Sequence, residues 1–196
     1  MEAIPMKNHL FRILCITLIS VLYVPLLYAK DSDVAATAEY YSYLGLHHAG
    51  LTVSNLDRSV EFYRDVVGLK LLVPQSPVLS GPKVDEMTGI PGVAMKLAMF
   101  EVNKNHRLAL IEYLKPASSL QYALPTTNIG SIHVAFQVSD IEARVKEMKA
   151  KGVYFITVMN IPTDGPFVGW KYIYFKDPDG ITLELVEDHN AATNPE

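Results

Sequence analysis

Two stretches of the chain alternate apolar and polar positions and then change to a helical spacing. The first runs from Leu46 to Val53. Leu46, His48, Gly50 and Thr52 share one face of a predicted strand, and His47, Ala49, Leu51 and Val53 share the other. The second runs from Ile132 to Val138 and repeats the pattern, with Ser131, His133, Ala135 and Gln137 set against Ile132, Val134, Phe136 and Val138. Ser54 and Ser139 follow as expected N-caps, with Asp57 and Glu142 as their capping-box partners. Leu56, Val60, Tyr63 and Val67 then recur at helical spacing, as do Ile141, Val145 and Met148. Gly68 and Gly152 end the two helices. Further strands are expected at Leu69–Val73, Ala94–Val102 and Arg107–Leu114, and again at Tyr154–Val158, Lys171–Phe175 and Ile181–Val186. Each half therefore reads strand, helix, strand, strand, strand. A long Pro- and Gly-rich segment between Val73 and Ala94 is either a pocket wall or lid, or an edge cover.

The duplication places one histidine at the same point of each half. His48 and His133 lie on the strand face opposite the helix-packing residues, so both are expected to point away from the helices. Glu112 and Glu184 are single carboxylates in the otherwise apolar last strand of each half. A buried lone carboxylate calls for a cation or a shifted pKa. Two imidazoles and two carboxylates on one surface would make a shell for a divalent metal ion, and the spacing does not choose among Zn, Ni, Co, Mn and Fe. Either glutamate could also serve as a base. A single strand histidine or glutamate is more often structural or solvent-facing, so the joint pattern carries the hypothesis. His47 falls on the helix side and reads as a core or edge histidine.

Composition narrows the class. Apolar residues are 49% and charged residues 19% of the 196, which suits a packed chain. Net charge is -4 with no basic block, so nucleic acid is not an expected partner. Lys7 and Arg12 precede an uncharged run from Ile13 to Leu27, and Leu27 and Ala29 sit where a signal peptidase would read. Residues 1–29 thus read as a secretory signal, with an uncleaved anchor as the competing reading. Cleavage would leave an exported, periplasmic or secreted protein with no stable membrane insertion. The expected organisation is a signal at 1–29, a flexible tail at 30–43, a domain at 44–187 with modules at about 44–116 and 130–187, and a tail at 188–196. The single cysteine, Cys15, falls in the signal, so the mature chain would have neither disulfides nor thiolate ligands.

The segments Leu46–Val53, Ile111–Pro116, Gly130–Val138 and Asp177–Leu185 resemble the vicinal oxygen chelate superfamily. It includes glyoxalases, methylmalonyl-CoA epimerases, extradiol dioxygenases and antibiotic-resistance proteins. The resemblance covers about Leu44 to Glu187. It implies an α+β fold of two tandem βαβββ modules forming a curled open barrel, and it places His48, Glu112, His133 and Glu184 at four metal-ligand positions. It further implies a divalent-metal-dependent lyase or isomerase of the glyoxalase or epimerase branch. Such an enzyme acts on a small substrate with vicinal oxygens through an enediolate-like intermediate, with Glu184 or Glu112 as the base, and a homodimer is compatible with the family. An Fe(II)-dependent ring-cleaving dioxygenase and a non-catalytic small-molecule binding module are the alternatives.

Overall fold

The computed structural model describes Tyr43, residues 45–118 and residues 124–189. The expected signal at 1–29, nearly all of the tail at 30–43, and residues 190–196 lie outside the described residues. The chain divides into Met1–Tyr43 and Leu44–Glu196, and the described strands and helices lie in the second unit. Among the described residues no helix is long and apolar enough to cross a membrane.

The first module comprises β1 (His48–Thr52), α1 (Leu56–Glu61), β2 (Lys70–Val73), β3 (Leu79–Ser80), α2 (Pro82–Thr88), β4 (Ala94–Glu101) and β5 (Arg107–Lys115). The second comprises β6 (His133–Gln137), α3 (Ile141–Ala150), β7 (Trp170–Lys176) and β8 (Thr182–Asp188). Helix α1 continues as a wider π-helical turn over Phe62–Val66. The long segment between Val73 and Ala94 holds β3 and α2; none of the α2 residues is buried.

Both helices start one residue later than expected. The caps are Asn55 and Asp140, whose side chains accept from the backbone N–H groups of Arg58 and Ala143. Asn and Asp each carry a carbonyl-type oxygen at the length that reaches N3, so they displace the preceding serines. Ser54 is used elsewhere, as described below.

Strand order is the same in each module. The first sheet runs β1-β5-β4-β2 with β3 added on β4, and the second runs β6-β8-β7. In each, the first strand pairs in parallel with the last. The main-chain bonds leaving the two first strands also match, Val53 N–H to the Ile111 carbonyl and Val138 N–H to the Val186 carbonyl.

The expected curled open barrel does not form. The two sheets are separate, and among the described residues no ladder joins them. The second sheet also stops at three strands. Tyr154–Val158 makes only isolated bridges to β7, Phe155 with Phe175 and, further on, Asn160 with Tyr172. The reason is local. The Tyr174 N–H, which a neighbouring strand would need, donates to the Thr157 hydroxyl instead.

The helix-facing side of both sheets is one continuous core. Leu51, Leu56, Tyr63, Phe100, Leu108 and Leu110 pack from the first module, and Ile141, Met148, Ile173, Phe175, Leu183 and Leu185 from the second. The two modules are further clasped by polar contacts. The Tyr63 hydroxyl donates to Asp177 at 3.0 Å in the interior. Asp179 accepts from the Ser54 backbone N–H at 3.1 Å, from the Ser54 hydroxyl at 2.5 Å and from Arg58 at 2.6 Å. The turn Asp177–Gly180 of the second module is thereby seated on the start of α1.

Candidate active site

In the second module the parallel register pairs His133 with Thr182 and Ala135 with Glu184. His133 and Glu184 therefore share the face away from the helices. Their side chains meet, with His133 Nε2 3.2 Å from Glu184 Oε2. Glu184 is 6% exposed, so its charge is largely withdrawn from water. Tyr174 lies directly opposite it in β7. The tyrosine ring stands edge-on to His133, 5.8 Å between centroids. Burial, reinforced by the Glu184 charge and a hydrogen bond to it, pushes the Tyr174 hydroxyl up to about 12. It therefore stays protonated and donates to the carboxylate.

His48 occupies the equivalent place on β1 and is exposed. Its Nδ1 lies 2.8 Å from Nδ1 of His47, and His47 Nε2 lies 3.2 Å from Nη1 of Arg107. A guanidinium only donates, so His47 Nε2 accepts from Arg107, while the direction of the His47–His48 contact follows the tautomers of the two rings. His47 is therefore an exposed link between His48 and Arg107, not a core histidine.

Glu112 is placed on the other side of its sheet. Along β5, Arg107, Ala109 and Ile111 pair with His48, Gly50 and Thr52, while Leu108, Leu110 and Glu112 alternate onto the helix face. Glu112 Oε2 accepts from the backbone N–H of Leu56, the first residue of α1, at 3.2 Å, and lies 3.2 Å from Lys96 Nζ. The second module has the same device. Glu187 Oε2 accepts from the N–H of Ile141, the first residue of α3, at 2.7 Å, and Glu187 Oε1 lies 3.3 Å from Lys171 Nζ. Lys96 faces Glu112 across β4 and β5 as Lys171 faces Glu187 across β7 and β8. Glu112 thus corresponds to Glu187, and the counterpart of Glu184 is Ala109. Of the four residues expected on one surface, the structure joins His133 to Glu184, sets His48 on the equivalent strand position, and turns Glu112 toward the helix. The signal was present in the sequence. Leu108-Ala109-Leu110-Ile111-Glu112 aligns with Leu183-Glu184-Leu185-Val186-Glu187, and the second strand contains both glutamates.

One acidic group among the described residues has the spacing to coordinate a metal ion. Asp140, Glu142 and Glu187 bring ligand oxygens within 4.8 Å of one another. These oxygens already have protein partners. Lys171 lies 2.8 Å from Glu142 and 3.3 Å from Glu187, His189 lies 2.8 Å from Glu187, and Asp140 caps α3. Hydrogen bonding to Lys171 holds the exposed Glu142 carboxyl below its usual range.

This architecture has known counterparts. The model of the Glyoxalase/Bleomycin resistance protein/Dioxygenase superfamily matches residues 45–185. A 2-epi-5-epi-valiolone epimerase from Actinomyces sp. is 31% identical over 146 residues, covering 73% of this chain and 79% of that protein. A probable lactoylglutathione lyase from Vibrio parahaemolyticus serotype O3:K6 is 32% identical over 150 residues, covering 76% and 94%. The crystal structure of a glyoxalase family protein from Bacillus cereus shares the fold with a TM-score of 0.63 at 21% identity, covering 75% of this chain and 95% of that one. The matched family segment, the relatives and the paired modules together show that this chain belongs to the glyoxalase/bleomycin resistance protein/dioxygenase superfamily.

Proposed function

We propose that the protein is a divalent-metal-dependent enzyme of glyoxalase type, a lyase or isomerase acting on a small substrate with two neighbouring oxygens. The observation that carries this reading is the His133–Glu184 pair, in which a largely buried carboxylate meets an imidazole nitrogen at 3.2 Å. A carboxylate withdrawn from water beside an imidazole nitrogen fits a bound cation. His48, at the same position of the duplicated strand, is the further ligand. Two nitrogens and one oxygen suit a borderline divalent ion. When bound, such an ion supplies Lewis-acid polarisation of the substrate oxygens.

The chain's own groups supply the rest. Tyr174 donates to Glu184 and fixes the direction of its carboxylate. Glu184 is the carboxylate of that face beside His133, and so the group that takes and returns a proton at the carbon next to a carbonyl. Glu112, engaged with the start of α1 and with Lys96, is not needed for this role. Relatives named as lactoylglutathione lyases and as an epimerase support the class of reaction.

Ala109 favours a second reading. With an alanine in the counterpart position to Glu184, the set is two histidines and one carboxylate, the donor pattern of non-haem iron oxygenases. Metal analysis of the purified protein, followed by NMR of 2-oxo and vicinal-oxygen compounds in D2O, separates the two. Metal-dependent deuterium exchange or isomerisation, lost in His133→Ala, is expected. Oxygen uptake with iron would replace the first reading with the second. A protein that retains no divalent metal and converts none of these compounds would overturn both.

A further inference from the structure

A cleft of about 460 Å³ opens at His47, the residue before His48, and is lined also by Gly45, Leu46, Lys104, His106 and Arg107 among others. Its charged side chains are of one sign. They are the cations Lys104 and Arg107. Among the described residues no carboxylate pairs with Lys104 or Arg107. The acid opposite Arg107 in the β4–β5 register, Glu101, is held by Lys70 at 2.9 Å. The chain as a whole carries net charge -4, so a basic cleft runs against the average of its surface.

The duplication makes this more than a local accident. Arg107 pairs with His48 as Thr182 pairs with His133, and His47 precedes His48 as Ile132 precedes His133. At the same strand positions the second module thus carries a threonine and an isoleucine. The backbone accepts neutral residues there, so the fold does not require the two basic ones. Arg107 and His48 are also neighbours across the β1–β5 ladder, roughly 5 Å apart along the hydrogen-bonding direction. A planar guanidinium with donors left free is suited to a carboxylate or a phosphate.

We propose that this cleft seats an anionic group, a carboxylate or a phosphate, carried by the substrate of the neighbouring site; this rests on the reading of that site given above. The anionic group lies within a few bonds of the vicinal oxygens, because Arg107 and His48 are adjacent. Arg107 is the main contact and Lys104 adds charge at the rim.

The test is isothermal titration of the full chain at low salt with inorganic phosphate and, separately, with malonate. Saturable binding is expected. Arg107→Gln should weaken it at least tenfold, Lys104→Gln by less, and Lys83→Gln, on α2, not at all. Thermal melts confirm that each variant is folded. Tighter binding of phosphate assigns the cleft to a phosphoryl group, and tighter binding of malonate to a carboxylate. No saturable binding of either anion overturns the proposal, as does equal weakening by Lys83→Gln. The two readings fail separately. Metal-dependent turnover of a neutral vicinal-oxygen compound without anion binding sinks the anion site and leaves the enzyme reading. Arg107-dependent anion binding with no turnover does the reverse.

Discussion

Glu112→Ala should damage stability and leave metal binding alone. The substitution removes the acceptor of the Leu56 N–H and the partner of Lys96. An unsatisfied buried N–H costs about 1–3 kcal/mol. Lys96 is only 22% exposed in its side chain, so losing its counter-ion adds to this. A total of about 2–3 kcal/mol is expected, which corresponds to a fall in Tm of about 5–10 °C for a domain of this size. The matching Glu187→Ala should cost more, since its bond to the helix is 2.7 Å against 3.2 Å and its side chain is 8% exposed against 16%. Calorimetric melts in chelator give the stability change. Titration with Mn2+ or Zn2+ gives the metal affinity, which should stay within about twofold of the parent by the same geometric argument, since Glu112 lies on the opposite sheet face. Glu184→Gln is the counter-experiment and should lose metal with little loss of stability. An unchanged Tm with metal affinity reduced tenfold or more in Glu112→Ala would refute the correspondence of Glu112 with Glu187.

Ala109→Glu restores a carboxylate to the face of His48. Ala109 is buried, so the variant should melt lower than the parent in chelator and be raised more than the parent by added Mn2+. Asp179→Asn should lower stability at neutral pH by about 1–2 kcal/mol, modest because Arg58 is half exposed. Burial pushes the Asp179 carboxyl up, but hydrogen bonds from Ser54 and Arg58, with the Arg58 charge, outweigh it and hold the pKa below the usual value. Its contribution is therefore present above the unfolded value of about 3.9 and lost as pH falls through the folded one, so the gap between parent and variant should close under acid.

The periodicities were legible where one residue type decides the outcome. Val53 and Val138, Leu56 and Ile141, and Gly68 and Gly152 mark equivalent turns of two modules, and both sheets follow the same order. What the periodicity missed depends on partners distant in sequence. Ser54 and Asn55 are both good caps, and Ser54 is taken by Asp179, 125 residues on. Tyr154–Val158 has the apolar content of a strand, but a threonine hydroxyl takes the N–H that would have extended the ladder. Glu112 and Glu184 look alike as solitary acids in apolar strands. Only the register shows that they point to opposite faces, although Glu187, three residues beyond Glu184 and so on the other face, carried the clue.

The clasp around α1 decides what holds the two modules at their angle. Besides Ser54, Arg58 and Tyr63, which engage the Asp177–Gly180 turn, the far end of the same helix is gripped from α3. Arg144 donates to the carbonyls of Val66 and Val67, and Lys151 to that of Asp65. One helix of the first module is therefore fixed at both ends by the second, and that sets the geometry between them. The polar contacts that set it come from the two ends of α1, from α3 and from the Asp177–Gly180 turn. Added length in a connecting segment costs little by comparison, because each doubling of a flexible loop costs only about 0.6 kcal/mol of closure entropy. The distance in sequence between the two halves can drift while the clasp around α1 stays in place.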